Sequence, residues 1–222
     1  MPLIHVPEKG IFSIHTDNST YQMQVDKYGY LIHLYYGRRT EGVMDYIILF
    51  TERGLSASPY DAGNDRSYSL DYLPQEFPVE GTGDFRSPLL SVRDESGAYG
   101  CDLRYAGYEI RKGKYSLPGL PAVYSDSEDD GAETLCITLK NERTGLSAEL
   151  LYGVLPHLDI ITRSVILTNK GESRVTVEKL QSACLDFLYG DYDLIDFYGR
   201  HTMERRMERF PLMHGSHVIG SR

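Results

Sequence analysis

The sequence predicts an all-β fold, and three features of the chain support this prediction. Apolar residues alternate with polar ones along several short segments, clusters of Gly, Asn, Asp and Ser separate these segments, and few helical patterns lie between them. Such alternation is typical of a strand with one buried face, because successive side chains point to opposite sides of the strand. Many such strands along one chain favour an antiparallel sandwich.

The alternation is clearest in two short segments, and a third β-rich run is longer. Each short segment places apolar side chains on one face and polar side chains on the other, as in a half-buried strand. The longer run covers residues 159–169 and is rich in Ile and Val. The alternating apolar positions are Tyr21, Met23 and Val25 in the first segment and Leu135, Ile137 and Leu139 in the second.

A further strand is predicted at residues 175–185, with a break in its pattern. Val175 and Val177 share one face, but Leu180 then continues that face out of step with them. One extra residue in a strand moves the side chains that follow it to the opposite face. We therefore predict a β-bulge near Lys179.

Two stretches depart from the strand pattern. Residues 51–87 are rich in Gly, Asp, Pro and Tyr, and a loop of this length is uncommon unless it is functional or covers another part of the molecule. Residues 201–209 are compatible with a helix, which Pro211 would end. We therefore predict one long loop and one short helical segment near the carboxy terminus.

Composition restricts the classes of function. The chain has 222 residues, enough for one large β domain or two small ones, and its formal net charge of -9 repels nucleic acid and anionic membrane surfaces. No segment has the roughly 20 apolar residues of a membrane helix, and the first residues lack the pattern of a secretory signal. The three widely separated cysteines suit a reducing compartment. We expect a cytoplasmic protein with no nucleic-acid or membrane partner.

Common catalytic motifs are missing from the chain. None of the seven histidines belongs to a His-Glu-x-x-His pair, no Cys-x-x-Cys pair exists, and no Gly-x-Ser-x-Gly elbow is present. We therefore expect no metal site and no serine nucleophile of that class.

The long loop contains the best candidate for ligand binding. Asp61 and Asp65 lie among Arg66, Tyr68 and other tyrosines. Carboxylate, guanidinium and aromatic groups together can hydrogen-bond to a sugar ring and stack on it. The same residues are compatible with a purely architectural role, so the pattern leaves both interpretations open.

Five motifs extend the interpretation to a family. They are residues 64–76 (NDRSYSLDYLPQE), 81–86 (GTGDFR), 114–121 (KYSLPGLP), 151–154 with 159–164 (LYGV and DIITRS) and 198–205 (YGRHTMER). In this order and spacing they resemble the amino-terminal domain of bacterial family 36 glycoside hydrolases, the α-galactosidases. The resemblance covers essentially the whole chain.

The resemblance implies a β-supersandwich of two large antiparallel sheets that forms one domain over residues 1–222. In the family this domain precedes a (β/α)8 barrel and a small carboxy-terminal β domain, and two aspartates of the barrel perform a retaining hydrolysis. Neither catalytic motif occurs in this chain. We therefore expect a fragment without the barrel, with no catalytic residue, no cofactor and no activity of its own.

The resemblance also implies roles for particular side chains. The loop motif suggests substrate-side contacts for Asp65, Arg66 and Tyr68, while Asp84 and Arg86 suit a structural ion pair at a turn. The tail motif suggests residues that hold the domain against the barrel. These residues are Arg200, His201, Glu204 and Arg205.

The resemblance further implies what the whole enzyme does. We expect the parent protein to remove terminal α-linked galactose from oligosaccharides such as melibiose and raffinose, and to assemble as a tetramer. Two alternatives stay open: a free-standing galactoside-binding module and a purely structural oligomerisation module. If the sandwich packs against a barrel, the isolated chain should expose apolar surface and self-associate.

Overall fold

The computed structural model describes residues 2–52, 59–123, 130–187 and 190–220. The chain divides into two compact units, Met1–Asp186 and Phe187–Arg222. The regular structure of the described residues is β-strand together with single turns of 3-10 helix. The all-β prediction is confirmed.

Twelve strands are present in the described parts of the chain. They are β1 (Leu3–Val6), β2 (Ile11–His15), β3 (Ser19–Val25), β4 (Leu31–Arg38), β5 (Leu90–Asp94), β6 (Arg104–Lys112), β7 (Glu133–Lys140), β8 (Leu146–Leu155), β9 (Ile160–Asn169), β10 (Val175–Leu180), β11 (Asp193–Tyr198) and β12 (Arg206–Pro211). The short 3-10 turns cover Pro7–Lys9, Asp45–Ile47, Tyr60–Ala62 and Pro156–Leu158.

The strands form two large and two small sheets, all antiparallel. In the first unit, one four-stranded sheet has the order β1-β2-β3-β4 and the other the order β6-β7-β8-β9, while β5 pairs with β10. In the second unit, β11 pairs with β12. Neighbouring strands of each large sheet are also consecutive in the chain, so hairpin connections suffice to build both sheets.

The core of the first unit combines the inner faces of the two large sheets. Every second residue of β8 is directed into this core, as period-two alternation requires. Burying a side chain of this size contributes about 1.5–3 kcal/mol, so this layer stabilises the sandwich. The core includes Ile14 and Met23 from the first sheet and Leu135, Ile137, Leu150 and Val154 from the second.

The predicted polar face of β3 is not exposed. Tyr21 and Met23 are buried as expected, but Gln22 between them is buried too. The amide of Gln22 donates to Ser13 Oγ at 3.1 Å and to the Gly42 carbonyl at 2.9 Å, because the chain after β4 folds back over this face. Alternation alone does not indicate that a later segment covers the second face.

The predicted bulge in the strand at residues 175–180 is confirmed. The register of β10 against β5 shifts between Val177 and Lys179, because Val177 pairs with Val92 and Lys179 with Ser91. Glu178 is therefore the extra residue, and it moves the side chains that follow to the other face.

The helix predicted at residues 201–209 is wrong. Residues 206–211 form β12, in which Met207 pairs with Phe197 of β11. Thr202 and Arg205 have positive φ angles of 70° and 64°, which interrupt any right-handed helix. Local helix propensity is a weak determinant, and cross-strand hydrogen bonding overrides it here.

The long loop forms a small core of its own. Residues 53–58 lie outside the described part, but residues 59–87 bury Tyr68, Leu70 and Leu73 against Tyr30 and Ile32. The described part of the loop is therefore packed on the first large sheet, to which Ile32 belongs. Among the described residues, no helix has the length and apolar character needed to span a membrane.

Candidate functional site

Two of the three predicted substrate-side residues, Asp65 and Tyr68, line one surface depression of about 610 Å3, which we call the loop depression. It lies between residues 65–68 of the long loop and the β3–β4 turn. Its lining includes Gln24, Asp26, Lys27, Phe50, Asp65 and Tyr68. Loop, turn and strand residues that are far apart in sequence thus share one cavity, with polar groups and an aromatic ring at its walls.

Asp65 is held as an ionised acceptor. Its Oδ1 accepts hydrogen bonds from the backbone N–H of Ser67 at 3.0 Å and from the Ser67 hydroxyl at 2.5 Å, and its Oδ2 accepts one from Lys27 Nζ at 3.2 Å. The hydrogen bonds from Ser67, followed by that from Lys27, lower the pKa of Asp65. A glycosidase general acid needs the opposite shift, so this carboxylate is suited to binding and not to proton donation.

Tyr68 is a buried residue in the wall of the depression. Its ring is fully buried and meets the ring of Tyr28 edge-on, with the centroids 4.7 Å apart. Its hydroxyl donates to Asp26 Oδ2. Burial and this hydrogen bond raise the pKa of Tyr68. Because the ring has no exposed face, Tyr68 acts on the depression through its neighbours.

Arg66 and Tyr60 are two exposed residues of this loop. The Arg66 guanidinium lies 3.3 Å from Glu52 Oε1, and its side chain remains more than half exposed. Tyr60 is 97% exposed, which leaves both faces of its ring open to stack on a ligand. Asp61 beside it instead accepts from Arg104 Nη1 at 2.7 Å. Within this loop, Asp61 is therefore bound to the rest of the first unit, whereas Tyr60 and Arg66 face solvent.

Asp84 and Arg86 form the predicted ion pair. Arg86 Nη2 lies 2.8 Å from Asp84 Oδ2, and Nε lies 2.9 Å from Oδ1, so the pair is bidentate. Arg86 also donates to the carbonyls of Leu70 and Leu73. The pair thus ties the far end of the long loop to its middle.

A second polar cluster, which the sequence did not reveal, lies inside the sandwich around Glu76. The Glu76 side chain is fully buried, and its Oε1 accepts from the hydroxyl of Tyr152 at 2.7 Å and from Arg163 Nη1. The hydroxyl of Tyr21 lies 2.7 Å from both carboxylate oxygens, and Nδ1 of His33 lies 3.3 Å from Oε2. The local sequence signal is a lone acid between Gln75 and Phe77, and the structure places it in the middle of the buried stretch 73–79.

Glu76 is ionised despite its burial. Burial alone would raise its pKa, but the charge of Arg163 and the hydrogen bonds from His33 and Tyr152 outweigh this and lower the pKa. Burial would likewise lower the pKa of Arg163, and the surrounding phenols and Glu76 raise it above its usual range. The pair is therefore a buried salt bridge with four donors on one carboxylate.

The predicted inter-domain residues belong to the connection between β11 and β12 in the second unit. Their side chains are exposed, and Arg200 lines a depression of about 610 Å3 together with Phe197, Met203 and Ile219. His201 Nδ1 lies 4.0 Å from Glu204 Oε1. Arg205 adopts its positive φ in the same connection. Their contact with another domain stays a prediction.

Comparison with known proteins gives one consistent result. A family model described as "Glycosyl hydrolase family 36 N-terminal domain" matches residues 29–222. The chain is 52% identical over 222 residues to the bifunctional alpha-galactosidase/sucrose kinase AgaSK of Mediterraneibacter gnavus, covering all of this chain and 24% of that protein. It is 37% identical to the alpha-galactosidase AgaA of Geobacillus stearothermophilus, covering all of this chain and 30% of AgaA.

Solved structures agree with these relatives. The galactosidase domain of AgaSK superposes with a TM-score of 0.91 at 52% identity, over 96% of this chain and 29% of that one. A variant of AgaA from Geobacillus stearothermophilus in complex with raffinose superposes with a TM-score of 0.87 at 38% identity, over 92% of this chain and 28% of that one. The chain therefore spans less than a third of each relative.

Proposed function

The chain belongs to the family 36 glycosyl hydrolase amino-terminal domains, and from this membership we propose that it is the accessory domain of an α-galactosidase. The whole enzyme would release terminal α-linked galactose from oligosaccharides of the melibiose and raffinose type, with retention of configuration. The observation that carries this proposal is the 38% identity, over 92% of the chain, to an α-galactosidase crystallised with raffinose.

The chemistry of the described carboxylates supports an accessory role. A retaining glycosidase needs two carboxyl groups about 5–5.5 Å apart, one of them a nucleophile and the other an acid with a raised pKa. At the loop depression, the Asp65 carboxylate already accepts hydrogen bonds from Ser67 and Lys27. The Asp26 carboxylate likewise accepts hydrogen bonds from the backbone N–H groups of Tyr28 and Tyr30. We therefore place the reacting pair in the catalytic domain of the whole enzyme.

The loop is proposed to contribute to sugar binding from the side. Arg66 offers guanidinium donors for sugar hydroxyls, Asp65 keeps the backbone of the Arg66–Ser67 turn in place, and Tyr68 fixes that turn to the sandwich. Tyr60 provides a ring that could stack on an outer sugar. This arrangement matches an accessory surface that extends a site built elsewhere.

The hairpin of the second unit is proposed to dock on the rest of the enzyme. Ile195, Phe197 and Met207 lie on one of its faces and are each about half exposed or more. A two-stranded hairpin is marginally stable alone, and exposed apolar faces of this kind usually mark contacts. Arg200, His201, Glu204 and Arg205 at its tip would supply polar contacts to the barrel or to another subunit of a tetramer.

Kinetics of the whole enzyme test the loop proposal. Replacing Arg66 with alanine removes donors to the sugar, so KM for raffinose should rise about 10- to 100-fold, the equivalent of one or two charge-assisted hydrogen bonds, while kcat changes much less. Arg174→Ala is the matched control, since Arg174 is exposed and lies just before β10, outside the loop depression. Equal kinetic constants for the two variants would remove Arg66 from the site.

The isolated chain provides a second test. An accessory domain should release no nitrophenol from p-nitrophenyl α-galactoside, and should show no saturable heat when titrated with raffinose. The loop depression favours one alternative, a free-standing galactoside-binding module, which predicts saturable raffinose binding by the isolated chain.

We further propose a cytoplasmic location, in keeping with three cysteines that form no disulfide.

A further inference from the structure

The guanidinium of Arg163 makes its hydrogen bonds through Nη1, one of its three nitrogens. Its Nη1 donates to Glu76 Oε1 and lies 3.1 Å from the Tyr21 hydroxyl, and its plane covers the ring of Tyr152 at 4.5 Å from the centroid. Nε and Nη2 are buried and have no hydrogen-bond partner among the residues that the structure describes. An arginine that is nine-tenths buried therefore keeps an unsatisfied edge.

This edge has a defined chemical preference. Nε–H and one Nη2–H point in the same direction and form a fork that matches the two oxygens of a carboxylate. A buried donor left without an acceptor is unfavourable, and more so when it is charged, so such a fork favours any acceptor that reaches it. The Nη1 side is already neutralised by Glu76, which leaves the fork as the free part of the cation.

A cavity of about 640 Å3, which we call the Arg163 depression, lies beside this residue. Three consecutive residues of β9, from Arg163 to Val165, form one wall, and β9 is an edge strand of its sheet. Residues 180–183, from the last residue of β10 onward, form the opposite wall, and Leu117 completes the lining. Among the described residues of this lining, Arg163 is the only charged one and none is acidic, so none of them repels an anion.

The charge of Glu76 does not compete for the fork. Two phenol hydroxyls, His33 and Nη1 of Arg163 all contact the Glu76 carboxylate, so its negative charge is already stabilised by donors on the far side. A guanidinium can bridge two carboxylates through different edges, because its five N–H groups are distributed over three nitrogens.

We propose that the Nε–Nη2 edge of Arg163 recognises a carboxylate group that occupies the Arg163 depression. The carboxylate comes either from a small organic acid or from an acidic side chain of a neighbouring polypeptide. Both nitrogens are covered in this structure, so binding requires a shift of the lining side chains. This site is separate from the loop depression, with which it shares no lining residue.

The site can be tested on the whole chain with formate as the probe. In ¹⁵N spectra of the arginine Nε–H groups, the Arg163 signal is identified by its loss in Arg163→Lys. Sodium formate at neutral pH should shift this signal with saturation, whereas sodium chloride at the same ionic strength should not. The melting temperature should rise in formate relative to chloride, because a ligand that binds only the folded state stabilises it.

Two further arms make the result specific. Ser182→Trp places an indole in the exposed wall of the depression at a residue that makes no hydrogen bond to Glu76, and it should abolish both the shift and the stabilisation. Acetyl-glutamate-amide distinguishes the sources: saturation by both probes indicates a small-acid site, and saturation by the capped glutamate alone indicates a polypeptide side chain. A response to formate and to the capped glutamate that is no larger than the response to chloride, or full responses in Ser182→Trp, would overturn the proposal.

Discussion

Glu76 and Arg163, which lie 87 residues apart in the chain, form a buried ion pair that joins the long loop to β9. Tyr21 of β3 and Tyr152 of β8 donate to the same carboxylate at 2.7 Å. One acid of the loop thus contacts both large sheets of the sandwich. The loop is therefore held at residue 76 by charge and hydrogen bonds, and near Tyr68 by apolar burial.

Replacing Glu76 with glutamine should destabilise the chain by about 3 kcal/mol or more, because the buried guanidinium of Arg163 then lacks its counter-charge. Urea unfolding measures the difference. Glu142→Gln is the matched control, since Glu142 forms an exposed pair with Lys140 at 2.9 Å and should leave the midpoint nearly unchanged. A similar midpoint for both variants would show that the buried ion pair contributes no more to the free energy of unfolding than the exposed one.

A double replacement should be less harmful than its parts suggest. Removing Glu76 or Arg163 alone leaves one buried charge, but Glu76→Met with Arg163→Met removes both and fills the space with apolar atoms. The sum of the losses of unfolding free energy in the two single variants should therefore exceed the loss in the double variant by about 2 kcal/mol. A double-mutant cycle in urea gives this number. Simple additivity would show that the two side chains act independently.

The contribution of Glu76 should depend on pH. Its pKa is lowered in the folded chain, so its ionised form stabilises the fold above the unfolded pKa of about 4.3, and that stabilisation is lost as the pH falls through the lower folded value. The free-energy difference between the natural chain and Glu76→Gln should thus be constant from pH 7 to about pH 5 and shrink in more acidic solution. A gap that stays constant in acid would refute the ionised assignment.

Two glycines with similar backbone angles should respond differently to alanine. Gly97 and Gly145 have φ angles of 85° and 75°, so alanine costs each position about 1–2 kcal/mol of backbone strain. At Gly97 the new Cβ would meet nothing within 4 Å, but at Gly145 it would lie 2.7 Å from the backbone nitrogen of Gly171. Gly145→Ala should therefore lower the melting temperature clearly more than Gly97→Ala, and equal shifts would speak against this close approach.

Removal of residues 187–222 should leave the first unit folded. Both apolar cores consist of residues before Phe187, and the hairpin of the second unit buries few side chains. The shortened chain should unfold in one cooperative transition with a midpoint close to that of the whole chain, as circular dichroism in urea can measure. A non-cooperative transition would mean that the hairpin completes the core.

Several parts of the fold follow from local sequence patterns. Alternation at Leu135, Ile137 and Leu139 predicts β7, and the phase change after Val177 predicts the bulge in β10. These predictions succeed because the face on which a strand residue lies depends only on its position in that strand. The bidentate pair of Asp84 and Arg86 is equally local, since its partners are two residues apart.

Other features depend on residues that are distant in the chain. Residues 206–211 form a strand because β11 offers them backbone partners, and Gln22 is buried because residues after β4 return over it. The sequence by itself determined strands β3, β7, β9 and β10, the family resemblance and the candidate loop. Only the tertiary structure decided that Tyr68 is buried and that Glu76 meets Arg163, because a buried charge is stable only where folding brings its partner into contact.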